Sequence, residues 1–233
     1  ADALKRKDQE LLNKYDQLAQ AIFIDMFGDP VKNEMGWEVK KLGECIEFLT
    51  SGSRGWAQFY SDKGDVFLRI NNVGYNELKL NDIVYVEAPS NAESKRTQVK
   101  AGDILLSITA DLGRTCVIPI NFPKAFINQH LAIIRLKETY VPSFVSHVLS
   151  TDFGKIQFNK MNKGGVKAGL NFDDIKLIEF INPPIEKQII FNNIISELRK
   201  QIYINLLSLT NSNILFNSLL QKAFNGELVS EEV

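Results

Sequence analysis

Apolar and polar positions fall into three regimes along this 233-residue chain. Near the start, Leu11, Tyr15, Leu18, Ile22 and Met26 recur at steps of four, three, four and four, which predicts an amphipathic helix. It should stop at "FGDP", where Gly28 suits a left-handed cap and Pro30 blocks continuation. From about Trp37 to Asn182 the pattern shortens. "DVFLRINNVG", "DIVYVEA", "GDILLSITADLG", "RTCVIPI" and "LAIIRL" are β-branched runs punctuated by Gly, Asn, Asp and Pro, and they predict strands. "VPSFVSHVLSTDFGKIQFNKM" predicts helix between the strands and a basic loop. After "PPIEKQ" no Gly or Pro occurs before Gly226. There Phe191, Ile195, Leu198, Ile202, Asn205, Leu209, Ser212, Phe216, Leu219 and Ala223 keep a four-three alternation, the seam of a coiled coil. A helix of about 40 residues is a rod of roughly 60 Å. Asn205 and Ser212 within the seam lower its stability and fix register or partner.

The expected architecture is therefore α+β: a mixed, β-rich domain over 35–182, flanked by a helical arm over 1–34 and a long helix over 183–233. One internal echo stands out. "YDQLAQAIFIDMFGDP" and "FNSLLQKAFNGEL" both read aromatic-x-x-Leu-x-Gln, then a phenylalanine and a Gly-acid stop. Either two amphipathic helices resemble each other by chance, or the chain carries one unit of a duplicated architecture.

Composition narrows the class. At 45% hydrophobic and 24% charged the chain reads as an ordinary globular protein. No apolar run approaches the ~18 residues of a membrane span, and the N-terminus is charged rather than signal-like. Cys45 and Cys116 stand in unrelated contexts, which suggests a reducing compartment, so the expected location is the cytoplasm. Net charge is −1, which excludes a generic polyanion binder. Between Phe153 and Phe172, however, Lys155, Lys160, Lys163 and Lys167 occur with no acid. Such a patch on a near-neutral protein suits site-limited phosphate binding.

Catalytic motifs are tempting but incomplete. In "NKMNKGGVKAGLNF", Gly164 and Gly169 have phosphate-loop spacing, but Leu170-Asn171 replaces the Lys-Ser/Thr that would serve the terminal phosphates and Mg²⁺. "NPPI" at 182–185 resembles the Asn-Pro-Pro-aromatic tetrad of amino-methyltransferases, with Ile185 where the aromatic should stack. No strand-linked Gly-x-Gly motif for S-adenosylmethionine accompanies it, so a proline-punctuated helix entry is the plainer reading. "DFG" at 152–154 lacks every other kinase element. His130 and His147 are too scattered for a metal site, and His130 reads as a hydrogen-bonded structural histidine. No cofactor is implied.

Binding remains. "LTSGSRGWAQFYSDKG" is a polar, Gly-rich loop with Ser53, Arg54, Trp56 and Tyr60; "FLRINNVG" adds Arg69, Asn71 and Asn72, and "ADLGR" adds Arg114. Arginine forks to guanine and asparagine pairs with adenine in the major groove. Each is singly a plain surface residue; converging loops would make a base-reading surface. Lys160, Lys163 and Lys167 would engage phosphates, while Gly164 and Gly165 let the backbone approach.

In order and spacing, "GWEVKKLGECI", "FLRINNV", "GDILLSITADLGR", "NQHLAIIRL", "GGVKAGLNFDDIKLIEFINPPIEKQ" and "QLAQAIFIDMFGDP" resemble the specificity subunits of type I restriction-modification systems. The resemblance covers almost the whole chain. It implies a non-catalytic subunit whose recognition domains each read half of a bipartite site in double-stranded DNA. It also implies long helices in an antiparallel coiled coil that spaces those domains and docks methylation and restriction subunits. Complete subunits carry two recognition domains, and here there is one. The chain then reads as a C-terminal half, a fragment, or a half-size subunit that forms a homodimer through its helices; the absent initiator Met leans towards a fragment. The rival readings are a stand-alone methyltransferase or nuclease, and a pure assembly protein whose basic loop is idle.

Overall fold

A computed structural model describes residues 2–162 and 169–225, with side chains at 2–9, 12 and 206 left aside. Residues 27–189 form one compact unit, and 1–26 with 190–233 form another. The elements in chain order are α1 (Asp2–Phe27), β1 (Val39–Lys41), α2 (Leu42–Cys45), β2 (Ile46–Ser51), β3 (Tyr60–Ser61) and β4 (Asp65–Leu68). Next come β5 (Val84–Val86), α3 (Ala92–Thr97), β6 (Ile104–Ser107), β7 (Thr115–Val117), β8 (Ala125–Ile127) and β9 (Leu131–Leu136). The chain continues through α4 (Pro142–Ser150), α5 (Asp152–Met161), α6 (Phe172–Leu177), β10 (Glu179–Ile181) and α7 (Ile185–Phe224). The expected α+β class holds.

Two four-stranded sheets, ordered β2-β9-β6-β7 and β3-β5-β4-β8, enclose the main core. Alternation along the strands assigns the faces. Val66, Leu68, Ala125 and Ile127 from one sheet join Leu105, Cys116, Leu131 and Ile133 from the other in one buried cluster. Burial pushes the Cys116 thiol up to about 12, so it is an inert core group. The opposite face of the second sheet carries Phe67 and Phe126, on which the Trp56 ring stacks at 5.1 Å. Alternate positions of β6 and β9, Ile104, Leu106, Ala132 and Ile134, are also fully buried, and α4 packs on β6 and β7. Strands covered on both faces read as unbroken apolar runs, as "ILL" at 104–106 and "LAII" at 131–134 do.

A third, two-stranded sheet joins β1 to β10 and so stitches the two ends of the domain together. At the β6 start, Asp103 is fully buried and takes a forked contact from Arg135 at 2.7 and 2.8 Å. The segment expected as one helix at 141–161 is two, because Thr151 turns extended and its hydroxyl donates back to the Val148 carbonyl at the end of α4.

In the helical unit α1 and α7 run antiparallel. Phe23 meets Phe191 edge-on at 5.6 Å, while the Asn205 amide donates to the Tyr15 hydroxyl at 2.8 Å. The face of α1 is rotated from its expected position: Leu18 is 45% exposed and Phe23 is fully buried. Along α7 the expected seam is covered from Phe191 to Ile202 and at Leu209, while Asn205 is exposed, and beyond Leu209 it opens. The reason is length: α1 has 26 residues and α7 has 40.

Candidate nucleic-acid interface

Strand register gathers the polar loops at one end of the sheet sandwich. Ser51 pairs with Ala132, Ser107 with Leu131, and Leu106 with Thr115, so the loops beyond these positions emerge side by side. The second sheet joins them where Leu68 pairs with Ile127 and the Asn128 amide donates to the Leu68 carbonyl. Ser53 bridges Asn128, the Ile108 amide donates to the His130 carbonyl, and Thr109 bridges Gly169. Five segments thus meet: 51–55, 69–72, 108–114, 128–130 and 169–170.

Close packing locks this end. A Cβ on Gly52 would lie 2.1 Å from the Asn128 carbonyl oxygen, so only glycine fits there. Gly113 has φ +85°, and a Cβ on it would meet the Phe158 ring at 2.2 Å.

The expected site residues divide. Arg54 is exposed and makes no hydrogen bond or ion pair among the described residues; Ser53 beside it is half-exposed. Asn71 is exposed on a single 3-10 turn over 70–72. Arg114 is half-buried and donates from Nε to Asp111 at 2.6 Å. Arg69 is committed elsewhere: its Nη2 donates to the carboxylate and carbonyl of Asp82, and its Nε is buried without a partner among the described residues. Lys160 is exposed near the end of α5. Lys163, Gly164, Gly165 and Lys167 lie outside the described residues, but their segment returns at Gly169 beside Thr109.

Three expectations need correction. Trp56 is 4% exposed and belongs to the aromatic core, because the turn at 56–59 folds its ring onto the second sheet. Asn72 is fully buried; it accepts from the Arg69 amide and donates to the carbonyls of Lys79 and Asn81. Tyr60 is exposed but pairs with Val86, which also pairs with Asp65 at the start of β4, away from the gathered end.

Sequence reading missed Arg96, Gln129, Asp111 and Tyr75. Arg96 on α3 donates to Thr50 Oγ1, to the Ser51 carbonyl and to Ser53 Oγ, tying down the base of the Arg54 loop. Gln129 Nε2 and His130 Nε2 lie 3.0 Å apart, with His130 Nδ1 2.6 Å from Thr109 Oγ1. Asp111 and Tyr75 flank Arg114. The Asp-x-x-Arg spacing of "DLGR" was a usable signal for Asp111; the long-range partners left none. Asn182 of "NPPI" is occupied by Glu38 and Gln188, as a helix entry requires. Among the described residues no cluster of His, Cys, Asp or Glu could hold a metal ion, and no helix is long and apolar enough to cross a membrane.

A two-sheet α+β domain that gathers polar loops at one end, in a chain that also carries an antiparallel helix pair, defines a class of loop-bearing binding modules. Residues 34–214 match the family described as type I restriction modification DNA specificity domain, and the chain belongs to that family. It is 26% identical over 178 residues to the type I restriction enzyme EcoBI specificity subunit of Escherichia coli, covering 72% of this chain and 36% of that protein. Among solved structures it resembles the HsdS subunit from Thermoanaerobacter tengcongensis, with TM-score 0.56, 19% identity, and coverage of 97% of this chain and 55% of the other. A chain from a structure of type I R-M complex assembly and conformational transition gives TM-score 0.61 at 19% identity, covering 97% and 56%. The type-I S subunit from M. genitalium gives 0.56 at 13% identity, covering 95% and 55%. The chain thus spans about a third of the curated relative and about half of each solved chain.

Proposed function

We propose that this chain is the DNA-reading part of a type I specificity subunit, with no catalysis of its own. The 35–182 domain reads a few base pairs of duplex DNA, mainly from the major groove, and the helices dock the methylation and restriction subunits of the same system. The observation that carries this is the meeting of five loop segments at one sheet end, where Arg54, Asn71 and Arg114 stand and Gly169 bridges Thr109. Phosphate contacts then position the domain and the arginines and amides select sequence.

The test is to express the chain with its methylation subunits and sequence the methylated sites in the host. One recurring sequence is expected. Methyl transfer by the chain alone, given S-adenosylmethionine and DNA, would sink the reading in favour of an enzyme. Lys163→Ala plus Lys167→Ala should weaken all sequences alike and reduce the salt slope by roughly two.

A second copy of the chain is the proposed occupant of the far end of α7. The echo between the two helices supports it: Phe23 is fully buried against Phe191, whereas its counterpart Phe224 is 86% exposed, along with Phe216 and Leu219. A partner helix pair would cover those residues as α1 and α7 cover Phe23.

A further inference from the structure

The geometry points to Asp111 and Tyr75 as positioning residues that hold Arg114 for end-on reading of a guanine. This rests on the reading that the gathered loops face DNA, and it names which arginine reads and what aims it.

A guanidinium can fork through its two terminal nitrogens or through Nε and one of them. Arg114 spends Nε on Asp111 Oδ2 at 2.6 Å and has the Tyr75 hydroxyl beside its guanidinium, and no second carboxylate or carbonyl among the described residues accepts from its terminal nitrogens. The end edge is therefore the one on offer. Asp111 is itself held, because its other oxygen accepts from the Tyr75 hydroxyl at 3.1 Å. With one partner on each oxygen the carboxylate cannot turn freely, so the plane of the guanidinium is set. Tyr75 stays a donor: partial burial first, and then the Asp111 carboxylate, hold its phenol above the usual range against a smaller opposing pull from the Arg114 guanidinium.

The backbone beneath is equally constrained. Ser107 Oγ donates to the Asp111 carbonyl at 2.6 Å and accepts from the Arg114 amide at 2.9 Å. Tyr75 bridges Thr115, the residue after Arg114, and the Thr115 amide donates to the Gly74 carbonyl. Gly113 is wedged on Phe158. A reading side chain on this hairpin loses little freedom on binding.

The chemistry selects guanine. Its O6 and N7 both accept and match two parallel N–H donors, whereas adenine puts an N6 donor where O6 would be. Asp111 also offsets the arginine charge, which weakens attraction to a bare phosphate more than hydrogen bonding to a base edge. Arg69 lacks this arrangement, since its terminal Nη2 is already spent on Asp82.

The experiment selects preferred sequences from randomised duplexes with the chain assembled with its methylation subunits, then measures competition at several salt concentrations. If wild type selects no sequence, the DNA-reading function itself fails, whatever Asp111 does. Given a selected sequence, Arg114→Lys and Asp111→Asn should each lose about ten- to a hundred-fold discrimination at one and the same G·C pair. Other positions should hold. Asp111→Asn should in addition bind non-target duplex more tightly, an effect that mere loosening of the fold would not give. Tyr75→Phe, which removes one hydroxyl, should weaken discrimination at the same pair and decides the matter if Asp111→Asn fails to fold. The inference is overturned if Arg114→Lys leaves every position unchanged. It is equally overturned if both Asp111→Asn and Tyr75→Phe keep full discrimination at the pair Arg114→Lys abolishes.

Discussion

Asn71 and Asn72 sit side by side on one 3-10 turn and present opposite faces. Asn72 satisfies one amide and two carbonyls inside the protein, whereas Asn71 is open to whatever lies above the loops. Asn72→Ala orphans those groups and should cost roughly 2–3 kcal/mol of stability in urea denaturation. Asn71→Ala should leave the denaturation midpoint unchanged and alter binding selectivity instead. No property of "RINNVG" tells the two apart, because in an irregular turn neither period 2 nor period 3.6 assigns a face. Trp56 shows the same limit from the other side: an aromatic in a Gly-rich polar loop reads as a surface contact, and only the fold brings Phe67 and Phe126 beneath it. The exposure of Arg54 and the partial exposure of Arg114 were legible, because arginines on turns beside glycine seldom serve a core.

Periodicity made the elements themselves readable. The β-branched runs at 65–68, 84–86, 104–107, 115–117 and 131–136 are strands, and α1 ends at the Gly28 cap as "FGDP" requires. Strand order was not readable, since partners such as β2 and β9 lie some 80 residues apart and the alternation fits several neighbours. The long helix was legible in period but not in partner. Its Asn205 amide reaches the Tyr15 hydroxyl, an exposed polar contact in a seam that also carries Ser212. Such a pair costs stability and specifies register. Asn205→Leu should therefore raise the melting temperature by a few degrees while broadening the range of assembled species seen by sedimentation velocity.

At the scale of the molecule, stability should fall in alkali. Cys116 is pushed up to about 12 by burial, and Tyr140 to about 12 by its hydrogen bond with Cys45 and by burial. Raised acids favour the folded state while they stay neutral. Above pH ~9 the unfolded chain ionises its thiols first and binds fewer protons than the folded one, so the free energy of unfolding declines as pH rises towards 12. Urea midpoints taken at pH 8, 9.5 and 10.5 should show it, and Cys116→Ser should flatten the decline. Assembly makes a separate demand. The α7 surface from Leu215 to Phe224 leaves Leu215, Phe216, Leu219, Leu220 and Phe224 exposed on roughly half of its circumference, a stripe that rarely stays solvated. A second copy meeting it by two-fold symmetry would place two recognition domains on one DNA, each reading the same bases in inverted orientation. The methylated site should then be an inverted repeat with a constant unread gap. Leu219→Asp plus Phe224→Asp should yield a monomer by light scattering and abolish the repeat, while the isolated domain keeps its fold by circular dichroism. If the double variant stays dimeric, or if the site methylated by wild type is asymmetric, the second copy is not what covers this helix.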